Sequence, residues 1–419
     1  MIIKTTNRKL LVGLEIGTSK ISVIVGEILP DEMVNIIGIG NYPSHGMNQG
    51  EIHDLSSVVK SIKRSIDQSE LMADCHISSV YLAISGKHIN YQNEIGMVPI
   101  SEDEVTQEDI NNVVHTAKSV KIPDEHRVLH VIPQEYTIDN KDGIKNPIGL
   151  SGVRIKAKVH LITCHNDMAK NIIKAVEKCD LKIDQLIFSG LASSYSVLSE
   201  DERELGVCLV DIGGGTMDIM IYINGALHHI KVIPYAGNIV TRDIAYAFGI
   251  SLIDAETLKI QHGYLSNNTS NNNDNIYTKI FNNYSSKHLP QHTLLEVIEP
   301  RYIELLNLVN NEIIQLQQQL QQQNIQLQLT AGIVLTGGGS QINGLIECAE
   351  KIFNTQVRIG KPLNITGLTE YVQNSSYSTV TGLLHYHKHT YSINNSGQNK
   401  NTFVKNWFHK IGNWLKKEF

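Results

Sequence analysis

Two copies of one short pattern, far apart in the chain, constrain its fold more than any other feature. In the second copy, Val207-Cys-Leu-Val210 reads as a buried strand. It runs into Asp211-Ile-Gly-Gly-Gly-Thr-Met-Asp218, and a new apolar run starts at Ile219. That order predicts a β-hairpin closed by a glycine turn, not a strand entering a helix. Glycines at 213, 214 and 215 permit a tight bend and bring bare N–H groups close to a ligand, and the Thr216 hydroxyl adds a donor. Asp211 and Asp218 at the rim repel a bare phosphate but suit a hydrated Mg²⁺ held between phosphate and protein. The first copy, Leu11-Val-Gly-Leu-Glu-Ile-Gly-Thr-Ser-Lys20, has the same layout, with Ile21-Ser-Val-Ile-Val25 as its return strand. Glu15-Ile16-Gly17 stands where the other copy has Asp211-Ile212-Gly213, and Gly17, Thr18, Ser19 and Lys20 become the matching phosphate contacts. Taken alone, the motif favours phosphate binding over a hairpin that merely needs a glycine turn. The pair predicts a duplicated fold holding a ligand between its halves.

A third glycine cluster, Gly337, Gly338 and Gly339, follows the apolar strand Ile333-Val-Leu335. Backbone there can lie against the base or the α-phosphate of a nucleotide. Three such loops in this order resemble the actin, Hsp70 and sugar-kinase superfamily, as its two phosphate loops and its adenosine loop. The resemblance gives a role to Glu256 and Lys259, one turn apart on a predicted helix at Asp254–Lys259. In that superfamily a Glu-x-x-Lys at this place reaches the ribose and adenine. Read from the residues alone, the two form an ordinary surface pair.

The bulk numbers fit a multidomain soluble protein. A chain of 419 residues can bury two or more cores. Its net charge of −6 argues against a nucleic-acid binder driven by phosphate contacts. The five cysteines form no Cys-x-x-Cys pair, as in reduced thiols of a cytoplasm. No run of eighteen apolar residues is present, so no span of a bilayer is expected.

Along the chain, residues 1–84 predict a βββαβ order, with strands at Val34–Ile39 and Ser79–Ile84 and a helix at Leu55–Leu71. The next stretch breaks that rhythm. Ser101–Glu104 and Thr106–Asp109 are helix-start signals ahead of a helix to about Val120. Strands follow at Arg127–Ile132, Tyr136–Ile138 and Val153–Ile162, making an α+β subdomain. A helix is expected over Asn166–Cys179 with Met168, Ile172, Ile173 and Val176 on one face. Ser266–Asn275 reads as a polar loop. A long helix is expected from about Thr293 to Gln322, interrupted early by Pro300. Its apolar stripe is Ile303, Leu306, Val309, Ile313, Leu316 and Leu320. His385, His387 and His389 alternate. On a strand they would share a face and could bind a metal, though a polar run leaving the domain explains them as well.

Ser392–Asn401 has linker composition. Beyond it, at 100° per residue, Phe403, Val404, Trp407, Phe408, Ile411, Trp414, Leu415 and Phe419 fall within a ~160° arc. Lys405, Lys410, Lys416 and Lys417 lie outside it. An aromatic face flanked by lysines suits a helix lying in an anionic membrane interface, where each lysine contributes about 1 kcal/mol. Docking on the chain's own core, or on a partner, is the alternative.

The segments Ser85-Gly-Lys-His88, Asn93–Ile100, His126–Glu135, Pro234-Tyr-Ala-Gly-Asn238 and Glu299-Pro-Arg-Tyr302 narrow the resemblance to the bacterial cell-division FtsA family. It implies an α/β, actin-like two-domain fold with duplicated sheets. The first domain would occupy 1–84 and 166–205, with the family's distinctive insert at 85–165. The second domain would cover 206–386, a linker 387–402 and a membrane-targeting amphipathic helix 403–419. It also implies ATP and Mg²⁺ between the domains, with Glu15, Asp211 and Asp218 holding the metal through water. Implied partners are the C-terminal tail of FtsZ, other copies of the chain, later division proteins and the inner face of the cytoplasmic membrane. Arg301 and Glu304 are implied FtsZ contacts. Relatives often place Glu or Gln in the stretch matching Leu186–Ser194 to orient an attacking water. Here only Ser189, Ser193 and Ser194 are available, so slow turnover is expected, with Glu15 and Asp211 the residues nearest to catalysis. A small-molecule kinase of the superfamily, or an actin-like scaffold of another envelope machine, is the competing expectation.

Overall fold

The computed structural model describes residues 10–31, 33–265, 275–279, 286–322 and 326–396. The chain opens with an antiparallel β-meander, β1 (Leu10–Ile16), β2 (Lys20–Ile28) and β3 (Val34–Pro43). Helix α1 (Leu55–Ala73) follows. It starts where the Asp54 carboxylate accepts from the N–H groups of Ser56 and Ser57, and stops at Asp74, which is left-handed (φ 48°). Val58, Ile62 and Ile66 are its buried stripe. Strand β4 (Ser79–Ile84) then lies parallel to β1.

The insert begins with β5 (Ile89–Pro99), an edge strand that periodicity alone does not reveal. Helix α2 (Gln107–Lys118) starts at Thr106 and not at Ser101. Thr106 and Asp109 form a reciprocal capping box, and Ser101 donates to the same Asp109 carboxylate, so the acids at 102–104 precede the helix. The sheet closes with β6 (His126–Ile138), β7 (Lys141–Ile144) and β8 (Arg154–His165), in the order β5-β8-β6-β7. The two strands expected at 127–138 are one. It continues through Pro133 because the ladder shifts register there, sparing the missing N–H.

The first domain resumes with α3 (Asn166–Glu177), β9 (Lys182–Phe188), α4 (Ser189–Val197) and α5 (Glu200–Leu205). Helix α3 buries Ala169, Ile172, Ala175 and Val176, while Met168 and Ile173 are only half-buried. The second domain has β10 (Val207–Ile212), β11 (Met217–Ile223), β12 (Ala226–Ile233), α6 (Gly237–Phe248) and α7 (Leu252–His262). A hairpin of Asn275–Lys279 with Ser286–Pro290, then α8 (Gln291–Gln322), β13 (Ile333–Thr336), α9 (Leu345–Phe353) and β14 (Val357–Ile359) complete it.

Strand order proves the duplication. The first sheet runs β9-β4-β1-β2-β3 and the second β14-β13-β10-β11-β12, a meander extended by two parallel strands in each case. A sixth strand on the first sheet, β15 (Ile365–Gly367), pairs with β3. Helix α10 (Ser378–Ser396) also packs on the first sheet, with Val380 and Leu384 in the same core as Leu11 and Ile24. The chain therefore crosses back before residue 365. The segment read as the end of the second domain belongs structurally to the first, and helix extends to Ser396 within the stretch read as linker.

Two further expectations change. Helix α8 passes through Pro300 without a break. Its buried side includes Tyr302, Leu305, Leu306, Val309, Ile313, Leu316 and Leu320, whereas Ile303 is 37% exposed. His385 and His387 lie on α10, not on a strand, so alternation does not bring them onto one face. The insert is seated on the second domain by a polar seam. The Tyr91 hydroxyl meets His229 Nδ1 at 2.7 Å, His229 Nε2 faces Glu312 of α8 at 3.1 Å, and Gln134 donates to the Leu227 carbonyl at 2.6 Å.

Candidate nucleotide site

Both glycine hairpins close with the same bond. Gly17 N–H donates to the Lys20 carbonyl at 3.1 Å, and Gly213 N–H to the Thr216 carbonyl at 2.9 Å. Ile16 pairs with Ile21 in one ladder and Ile212 with Met217 in the other. The two turns meet face to face. A Cβ on Gly214 would lie 2.0 Å from Ser19 Oγ, and one on Gly215 2.4 Å from Thr18 Oγ1. Glycine is therefore required by the approach of one loop to the other, beyond what the turn itself needs. The start of α6 braces the second loop, with Gly237 N–H on the Gly213 carbonyl (3.1 Å) and Asn238 N–H on that of Gly214 (2.8 Å). The Asn238 side chain accepts from Ser19 Oγ at 3.0 Å, tying the two halves together.

The third loop enters from β13. Gly337 has φ +84°, and a Cβ there would meet Asp211 Oδ1 at 2.3 Å. Tyr302 of α8 donates to the Gly339 carbonyl at 2.9 Å and holds the loop's far side. Together the three loops bound a cleft of about 1020 Å³, at the upper end for small-molecule sites and large enough for a nucleoside triphosphate. Every nucleotide and metal residue predicted from sequence lines it. Glu256 and Lys259 lie at 2.7 Å, and Lys259 also donates to Thr241 Oγ1 (2.8 Å) and the Gly237 carbonyl (3.0 Å). Lys259 is 12% exposed and Glu256 39%, so the pair is half-buried in the cleft wall, with Lys259 bracing α6 against α7.

Three carboxylates converge on the cleft. Asp211 is 8% exposed and Asp218 3%. Burial raises the Asp211 carboxyl above its usual range, against the hydroxyls of Ser193 and Thr379 (3.1 Å), which both donate to its Oδ2. Burial and the charge of Asp211 push Asp218 well up, against a bond from Ser85 at 2.6 Å. Burial raises Glu15 to about 7, opposed by Lys20 and reinforced by Asp211, and its Oε2 is buried without a hydrogen-bond partner. Like charges this close cannot all ionise unaided. An added cation relieves all three, so this donor set fits Mg²⁺. Among the described residues no group of three or more His, Cys, Asp or Glu is placed to hold a metal ion directly.

Of the stretch expected to orient a water, Ser189 lines the cleft, Ser193 is bonded to Asp211, and Ser194 is bonded to the Tyr222 hydroxyl at 2.7 Å. Arg301 and Glu304 lie on α8 outside the cleft. Arg301 makes a two-pronged pair with Asp243 of α6 (2.6 and 3.3 Å) and bonds Glu304. Sequence reasoning missed Thr241, Ser376, Tyr377 and Thr379. No motif marks them, and α10 brings the last of them in from far along the chain.

Two family models match the chain. One, described as cell division protein FtsA, covers residues 208–382, and the other, an SHS2 domain inserted in FTSA, covers 86–163. Cell division protein FtsA of Escherichia coli strain K12 is 64% identical over all of both chains. The chain belongs to the FtsA family. Its insert, β5 to β8, is the family's SHS2 domain. Solved structures share the actin-like fold. A PilM–PilN type IV pilus biogenesis complex matches at TM-score 0.64 and 17% identity, covering 90% of this chain and 98% of that one. MreB5 of Spiroplasma citri bound to ADP matches at TM-score 0.54 and 13% identity, covering 91% and 97%. At these identities the likeness concerns fold alone. FtsA membership makes this a cell-division protein and sets aside both a small-molecule kinase and a pilus scaffold. Its residues 397–419, the expected linker end and amphipathic helix, and the loop at 266–274 lie outside the described residues.

Proposed function

We propose that this chain is an ATP-binding adaptor of the division ring, which self-assembles, takes the C-terminal tail of FtsZ and holds it at the inner face of the cytoplasmic membrane. The observation that carries the nucleotide part is the meeting of three glycine loops, two of them duplicates, around one cleft lined by three carboxylates and Lys20. Glu15, Asp211 and Asp218 hold Mg²⁺ through its water shell. The ion supplies charge neutralisation between these acids and the nucleotide phosphates. Backbone N–H groups of both hairpins and the Thr18, Ser19 and Thr216 hydroxyls bind phosphate oxygens. Glu256 and Lys259 bound the ribose and base end, beside Gly337–Gly339.

The serines at 189, 193 and 194 give no strong acceptor to orient water, so turnover is slow and the nucleotide acts as a wedge that fixes the two halves. Attachment runs through residues 403–419, whose aromatic face flanked by lysines suits an anionic membrane interface. The Arg301–Glu304 face of α8 is the FtsZ-tail surface, and later division proteins are recruited to the assembled copies. Calorimetric titration with Mg–ATP tests the nucleotide reading. Binding by the native chain that is lost in Asp211→Ala supports it, and equal binding by both overturns it.

A further inference from the structure

Lys20 closes the first phosphate loop and carries its charge into an enclosed site, where burial lowers its pKa and the charge of Glu15 opposes that shift. An ammonium on a four-carbon stem has many places to go, and most of them point away from phosphate. Here it is fixed. Its Nζ lies 3.8 Å above the centre of the Tyr377 ring and donates to Ser376 Oγ at 3.3 Å. The ring is itself anchored. The Tyr377 hydroxyl accepts from Asn41 Nδ2 of β3 at 2.7 Å, its N–H donates to the Asn374 carbonyl at 3.0 Å, and its ring packs against the first domain's core. Tyr377 stands one residue before α10, and its neighbours Ser375, Ser376 and Thr379 line the cleft.

We propose that Tyr377 is the positioning residue for Lys20, its ring face holding the ammonium inside the cleft and aimed at the phosphates of the bound nucleotide. This rests on the Mg–ATP reading of the cleft. An aromatic face attracts a desolvated cation through its quadrupole, so the ammonium is oriented before any ligand arrives. A nucleotide then does not have to order it. Lys20 belongs to the loop of the first half, and Tyr377 returns to that same half after the crossing, so the pair ties the loop to the segment that leads into α10.

The test is calorimetric affinity for Mg–ADP and Mg–ATP in the full-length chain, with a Lys20, Tyr377 double-mutant cycle. Tyr377→Leu should weaken binding about tenfold, in line with a desolvated cation–π contact, and Tyr377→Phe should restore most of that loss. Pentafluorophenylalanine at position 377 keeps the shape but reverses the ring's charge distribution. It should behave like leucine, and it replaces Tyr377→Leu if that variant does not fold. In a Lys20→Ala background the ring substitutions should cost no further affinity. A tenfold loss that persists in Lys20→Ala, or a fluorinated ring that binds as well as tyrosine, would overturn the proposal while leaving the nucleotide reading intact. A native chain that binds neither nucleotide would overturn both.

Discussion

Glu15 carries the clearest pH signature in the molecule. Its carboxyl is pushed up to about 7 in the folded chain, whereas an unfolded chain releases that proton near the ordinary value of ~4.5. Between those values the folded state binds more protons than the unfolded one, so stability falls as pH rises through the window. Glu15→Gln removes this penalty. We expect the ligand-free variant to be more stable than the native chain at pH 8, by about 1–3 kcal/mol, with the two converging near pH 4.5. Melting curves across pH 4.5–8 check this, and a native chain that is the more stable of the two at pH 8 would contradict it. On the proposed reading of the cleft the same variant should bind Mg–ATP more weakly, because one of the acids proposed to hold the ion is gone. Residues like Glu15 are legible in sequence because the hairpin around them is local. Ser193 and Thr379, which orient Asp211, are not. They come from two helices, and a serine or threonine on an apolar helix looks the same whether or not an aspartate faces it.

Among elements, α8 does most to connect the site to the rest of the molecule. Tyr302 holds the third glycine loop, Arg301 pairs with α6, and Glu312 reaches the insert through His229. Pro300 removes one helical hydrogen bond, yet the helix persists because Ile298, Tyr302, Leu305, Leu306 and Val309 are buried on either side of it. That is why reading proline as a break failed here, while the three-and-four periodicity correctly predicted the helix. Tyr302→Phe should cost about 1 kcal/mol of stability and loosen the third loop, weakening ATP while sparing inorganic triphosphate. Equal losses for both ligands would contradict a loop-specific role. Tyr91→Phe leaves His229 Nδ1 without its partner. Faster amide exchange in β5 and β12, with that in β1 and β2 unchanged, is the expected result, and uniform exchange across all four would exclude the seam as a local fastening. The edge strand β5 and this seam were hidden from periodicity, because β5 alternates only weakly and the seam residues are polar.

For the whole molecule, duplication was legible from two hairpins alone, and the matched strand orders of the two sheets follow from it. The crossing of β15 and α10 back onto the first sheet was not. Nothing local distinguishes a helix that caps its own domain from one that returns to an earlier one, and the choice is made by long-range packing of Val380, Leu383 and Leu384. The crossing places the chain's last described helix with one end at the nucleotide cleft and the other leading toward residues 403–419. The adaptor reading predicts that a membrane and an FtsZ tail are engaged by one chain at once. The direct measurement is flotation of a labelled FtsZ C-terminal peptide with anionic vesicles in the presence of Mg–ATP. The full chain is compared with a chain ending at Asn401. The peptide should rise with the vesicles only when the full chain is present. A peptide that floats equally well with the shortened chain, or stays behind with both, would contradict the account.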